Sequence, residues 1–222
     1  MPGKIYIASM NMRGKWAEPI CDNPIKINVT SAQAKTSKNR MTFSPMQEII
    51  GGYKGYYCFE NYWQSGKVYE NIPIITTKKW WKELEQPKRR YPNSKGKKVL
   101  YAVFDGYDDN DDNDDNDDND DDSYNLTKMD YITSRKKVYV PEYYNLIKDT
   151  ELIDSWKVKL ESGSNLVIYD FDGPRLHDGS VSCVELNEAL LNTKINDPTV
   201  PFGHGYIVGA TIANINPTKY LD

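Results

Sequence analysis

Glu60, Gln64 and Lys67 follow one another at spacings of four and three, so a helix through them presents a carboxylate, an amide and an amine on one face. In a cleft, the carboxylate can move protons, and the amine can serve as nucleophile or as a clamp on an anion. On a solvated surface the same three residues are an ordinary ion-pair spacing. Asp170 and Asp172 leave the end of the apolar run Asn165-Leu166-Val167-Ile168-Tyr169, just ahead of Gly173, Pro174 and Arg175. Carboxylates in that position can bind ribose hydroxyls or supply a second acid/base, because α/β sites open at strand ends. A turn held by Asx hydrogen bonds needs the same residue types. The donor fork of Arg175 suits a phosphate, or an ion pair with either aspartate. His204, flanked by Gly203 and Gly205, stands where backbone N–H groups at a helix start could meet a diphosphate; a tight turn around a partly buried histidine fits the pattern as well.

The elements that must position these groups are short. Lys4 to Ser9 and Ile25 to Val29 alternate as strands do, and Lys35 to Gly55 reads as loop-rich chain passing over a site. Phe59, Tyr62, Trp63, Gly66 and Tyr69 form an apolar stripe that predicts a helix from Phe59 to Glu70. A second helix is expected over Thr77 to Leu84 and a strand over Val99 to Phe104. Later helices are expected at Tyr143 to Ile153, Asp154 to Leu160 and Val184 to Leu191. The run Asn165 to Phe171 reads as a buried strand, and Tyr206 to Ile215 as an apolar element. Strands and helices mix without regular βαβ spacing, which predicts an α/β or α+β fold, a single mixed domain with several helices around short strands.

The run Phe59-Glu60-Asn61-Tyr62-Trp63-Gln64-Ser65-Gly66-Lys67 resembles the signature helix of NADAR proteins, the NAD- and ADP-ribose-associated family. In that family a Glu-His-Tyr-Phe-Gln-Ala-x-Lys run follows a Phe-Ser-Asn-Phe loop. Phe43-Ser44-Pro45-Met46 stands upstream and keeps Phe-Ser, while Asn61 replaces His and Trp63 replaces Phe. The family's later Asp-x-x-Trp-Gly and Gly-x-Asn-x-Leu-Gly motifs have Asp170 to Arg175 and Phe202 to Gly205 at comparable places, with Trp156 displaced earlier. The resemblance implies a NADAR-like fold and hydrolysis of an N-glycosidic bond in an ADP-ribosylated base or a phosphoribosyl intermediate. Glu60, Lys67 and Asp170 would be catalytic, with Phe43, Tyr62, Trp63, Gln64, Asp172, Arg175 and His204 binding the ligand. A module that binds ADP-ribose, NAD or nucleic acid without turnover is the alternative. The opening Lys4-Ile5-Tyr6-Ile7-Ala8 is similar to the first strand of nucleoside deoxyribosyltransferases, whose other motifs are not evident.

Composition narrows the partners. The formal charge of −4 is misleading, because residues 108–122 carry 11 aspartates; without them 21 acids face 28 Lys+Arg, about +7. That Asp/Asn repeat has nothing to bury and reads as a disordered insertion between an N-terminal part, 1–107, and a C-terminal part, 123–222, of one domain. Lys88, Arg89, Arg90, Lys97 and Lys98 form a basic loop with Tyr91 inside it. It suits a nucleic-acid backbone, and a solvated charge run has the same composition. Cys21, Cys58 and Cys183 are widely spaced and read as reduced thiols, and no motif calls for a metal or other cofactor. No apolar run approaches the roughly 18 residues of a membrane helix, and an intracellular, cytoplasmic location is expected.

Overall fold

The computed structural model describes residues 1–107 and 127–220, so the acidic insertion at 108–122 lies outside the described residues. In chain order the elements are β1 (Ile5–Ser9), β2 (Ile25–Asn28), α1 (Lys38–Phe43), α2 (Phe59–Ser65), β3 (Lys67–Tyr69), α3 (Ile74–Lys82) and β4 (Val99–Ala102). They continue with α4 (Tyr131–Ser134), α5 (Val140–Ile147), α6 (Glu151–Glu161), β5 (Leu166–Asp170), β6 (Cys183–Glu185), α7 (Glu188–Asn196) and α8 (His204–Ile212).

The main sheet runs β2-β5-β1-β6, its first three strands parallel and β6 antiparallel to β1. Every residue of β1 and β5 is buried, as expected of strands covered on both faces. Alternation divides them: Ile5, Ile7, Leu166 and Ile168 face the large core, while Tyr6, Ala8, Val167 and Tyr169 face a smaller cluster. Helix α8, buried throughout, covers the large-core side, with Gly209 close against Ile7 and Leu186. The β1–β5 and β2–β5 registers bring Ser9, Asn28 and Asp170 to one edge, so the chain leaves three parallel strands side by side. Strands β3 and β4 form a separate antiparallel pair. The fold is mixed α/β.

Several expected elements come out differently. The helix at Phe59 ends at Ser65, and Lys67 begins β3 instead of continuing it. Gly66 marks the break: a side chain there would lie 2.3 Å from the Phe104 ring, so only glycine lets β4's following residues pack on the helix end. Of the helix expected over Val184 to Leu191 only the part from Glu188 is helical; β6 ends at Glu185, and α7 starts beyond Asn187, whose side chain accepts from the Leu190 N–H. The stretch from Lys35 to Gly55 contains α1. The helix expected at Tyr143 starts earlier: α4, a π-helical turn at Arg135–Tyr139 and α5 are continuous. Pro141 has no N–H to donate and its ring crowds the carbonyl one turn back, and the widened turn accommodates both.

Candidate active site

Two adjoining cavities open at the carboxyl edge of β1, β2 and β5. The larger, about 410 Å³, is bordered by Asn11, Ser31, Met46, Arg89, Asp170, Phe171, Arg175 and His204, among others. The smaller, about 280 Å³, is bordered by Trp63, Lys67, Tyr131, Arg135 and Pro201. Glu60, Gln64, Tyr139, Asp172 and Phe202 border both, so Glu60 stands at the junction.

Local structure explains how each group arrives there. Phe59, Tyr62 and Trp63 turn the apolar face of α2 into an aromatic cluster with Tyr53, Tyr139, Tyr143 and Phe104. The opposite face then carries Glu60 and Gln64 to the cavities, with Gln64 Nε2 donating to Glu60 Oε1 at 2.7 Å. The Glu60 backbone N–H donates to the Pro45 carbonyl at 2.8 Å, which ties the Phe43-Ser44-Pro45-Met46 segment to the start of α2. Asn61, buried, accepts from the Lys88 N–H and donates to the Gln86 carbonyl, both at 3.0 Å. It therefore fixes the root of the basic loop.

Arg89 in that loop donates to Ser31 Oγ at 3.2 Å and lies 5.6 Å from the Phe171 ring centroid, across the larger cavity. Arg90 is near enough to Lys67 to disfavour its charge. The basic loop thus brings Arg89 to the larger cavity, while Arg90 acts on Lys67 through its charge. Lys67, partly buried at the start of β3, is held below the usual lysine pKa by burial, with Glu60 opposing and Arg90 adding to the shift; its amine lies 5.8 Å from the Trp63 ring centroid.

At the end of β5 the two aspartates differ. Asp170 is buried; its carboxylate accepts from the Gly205 N–H at 2.7 Å and lies 3.2 Å from His204 Nδ1. His204 Nε2 lies 3.0 Å from the Val29 carbonyl. A side chain at Gly203 or Gly205 would come within 3.0 Å of the Asp170 carboxylate, which accounts for the Gly-His-Gly spacing. The Asp170 carboxylate thus occupies one N–H of the α8 N-terminus, and of the two readings of Gly203-His204-Gly205 the turn around a buried histidine is the one that fits. Asp172 opens to both cavities, and its pKa is raised by burial, by Asp170 and by Glu60, with His204 and Arg89 opposing. Arg175 spans the strand ends, donating to Asn11 Oδ1 at 2.8 Å and to the carbonyls of Met10 and Phe171.

No protein-family model, curated protein or solved structure matches the chain. The geometry therefore stands by itself. Of the residues singled out from sequence, it brings Glu60, Trp63, Gln64, Lys67, Asp170, Asp172, Arg175 and His204 to the two cavities. Phe43 and Tyr62 lie in the core beside them; the Phe43 carbonyl accepts from Tyr143 Oη, and Tyr62 packs among rings. Sequence reading missed Arg135 and Tyr139, and quoted Phe202 only as the start of the segment Phe202 to Gly205. Their signal was faint: a Tyr131-Arg135-Tyr139 spacing of four, obscured by the proline two residues on. Among the described residues no His/Cys/Asp/Glu group could hold a metal ion, and no helix is long and apolar enough to cross a membrane.

Proposed function

We propose that the chain hydrolyses the N-glycosidic bond of an ADP-ribosyl or ribosyl compound, the chemistry that its resemblance to NADAR proteins implies. The observation that best supports this is Glu60 at the junction of two cavities, with Lys67 in one and Arg89 in the other. Breaking a C1′–N bond needs positive charge stabilised on the sugar and a proton delivered to the leaving nitrogen. Glu60 faces the sugar carbon in this reading, and Asp172, whose proton is held more tightly than usual, is the donor to the nitrogen. The water oxygen joins C1′ as the nitrogen leaves with the proton from Asp172, and the proton lost by the water passes to the Asp172 carboxylate, which restores the donor.

The lowered pKa of Lys67 favours a covalent variant of the same reaction. Its free amine adds to C1′ of the ring-opened sugar, the heterocycle departs with a proton, and water hydrolyses the imine to restore the amine. Lys67→Arg keeps the cation and removes the nucleophile, so borohydride should trap a sugar adduct on the parent protein and none on the variant. Trapping on neither leaves direct hydrolysis as the route.

The basic loop belongs to this reading too. Arg89 borders the larger cavity and Lys88, Arg90, Lys97 and Lys98 of the same stretch are exposed, so they are free to meet the phosphates of a nucleic acid that carries the modified base. The class of ligand is tested by thermal shift with ADP-ribose, NAD and nucleosides. A ligand at a hundred times its Kd stabilises by about 2.7 kcal/mol, a shift of several degrees for a chain of this size. No shift with any of them removes the ADP-ribose reading. A shift without turnover leaves a binding module.

A further inference from the structure

We infer that Cys21 and Cys183 are an oxidisable thiol pair, which hydrogen peroxide joins in a disulfide that staples the segment after β1 to the edge strand β6. The two are distant in sequence but share the small cluster on the sheet face opposite the large core. Cys183 stands opposite Ala8 in the β1–β6 register, and both belong to that cluster with Tyr6, Val167 and Tyr169. Cys21, partly buried, packs against the same cluster. The Ile20 backbone N–H bonds to the Cys183 sulfur, so that sulfur already touches the residue next to Cys21. Cys58, the third cysteine, is fully buried just ahead of α2 and outside the cluster.

The two partners differ in freedom. Cys183 is fixed by its strand. The chain as far as Ala17 is fixed too: the Ala17 N–H donates to the Ser9 carbonyl at 3.0 Å, Tyr169 Oη donates to the Ala17 carbonyl at 2.8 Å, and the Trp16 and Tyr169 rings lie 4.9 Å apart. From Glu18 to Pro24, among the described residues, the backbone makes no hydrogen bond to other backbone. A disulfide needs its two Cα atoms about 4.4–6.8 Å apart, and a segment held only by packing and one sulfur contact can adjust to that. The staple bears on the cleft whatever the cleft binds. Met10, Asn11 and Met12 border the larger cavity, and Arg175 ties Met10 and Asn11 to the turn that leads into β6.

The thiolate of Cys21, the more accessible of the two, attacks one peroxide oxygen; the O–O bond breaks, and the departing oxygen leaves as water with the proton that the thiol gave up. The Cys183 thiolate then attacks the sulfur of the Cys21 sulfenic acid, the S–O bond breaks, and a second water leaves. The two thiols lose two electrons and the peroxide gains them. Burial holds both thiols above the ordinary pKa, with Asp22 adding for Cys21 and the Ile20 N–H opposing for Cys183. Closure is therefore slow at neutral pH and quickens in mild alkali.

The test treats the full chain with hydrogen peroxide at about pH 8, then counts free thiols under denaturing conditions. We expect the count to fall from three to one, Cys58 surviving, with tryptic peptides 16–26 and 176–194 joined within a monomer. The joined form should melt several degrees higher, because a cross-link constrains the unfolded chain, and a thiol reductant should reverse the gain. The rate should rise ~10-fold from pH 7 to pH 8, as a thiolate fraction does below the thiol's pKa. Cys21→Ser should keep the Tm of the reduced parent and lose the joined peptides. A thiol count that stays at three overturns the inference. So does Cys21 carried on to sulfinic acid while Cys183 stays reduced, or a disulfide formed only between two molecules.

Discussion

Asp172 and Lys67 border the same small chamber, and each is displaced from its ordinary pKa in the direction that disfavours its charge. For Asp172 the folded-state pKa is above the unfolded value, so the folded protein holds that proton more tightly. Stability then falls as pH rises from the ordinary carboxylate range through the raised value, and the penalty is complete above it. Asp172→Asn should therefore raise the Tm at pH 7 and lose that advantage near pH 3, a comparison for scanning calorimetry. For Lys67 the folded pKa lies below the unfolded one, so its penalty is complete at neutral and acid pH and is relieved only in alkali. Lys67→Met should raise the Tm at pH 7 as well, while the activity proposed for the site falls. A lower Tm in both variants at pH 7 would show that the two charges are held by favourable partners and that the chamber stores no destabilising charge.

At the scale of elements, the sequence was most legible where one period ran unbroken. The alternation in Ile5 to Ser9 and the apolar run to Asp170 appear as β1 and β5, and the stripe of Phe59, Tyr62 and Trp63 appears as α2. The same stripe misled beyond Ser65, because Gly66 and Tyr69 also fall at helical spacings; pairing of Val68 with Tyr101 in a distant segment overrode the local pattern. Glu60 and Lys67 still reach one chamber, by a helix followed by a strand. Gly66 is the residue on which that bend depends. Gly66→Ala places a methyl group against the Phe104 ring and should cost about 1–3 kcal/mol, seen in urea unfolding. A cost near zero would mean that Phe104 moves freely and that the bend has another cause. The widened turn at Arg135–Tyr139 was illegible for a different reason: it shifts the helix face by about one residue, so a plain helical period does not carry across it.

Across the whole molecule, the cleft follows from three parallel strands ending in register, with chain segments distant in sequence meeting at their carboxyl ends. The acidic repeat, 108–122, lies outside the described residues, and the described chain on its two sides is joined. Ala102 and Met129 exchange two backbone hydrogen bonds, each 2.8 Å, so the chain leaves and returns at the same point on either side of the insertion. Deleting 108–122 should therefore leave the Tm within a few degrees of the parent. A loss of cooperative unfolding would assign the repeat a structural part. The same deletion should strengthen binding of nucleic acid at low salt, because 11 aspartates are removed from a chain whose other residues are net basic, and the gain should fade as salt rises. The central claim concerns Glu60 at the junction of the chambers, and the most direct measurement is turnover of an ADP-ribosyl N-glycoside by Glu60→Gln, with ADP-ribose affinity measured on the same sample. The account predicts a rate lower by roughly 10²–10⁴-fold with affinity nearly unchanged; a variant that cleaves at the parental rate would contradict it.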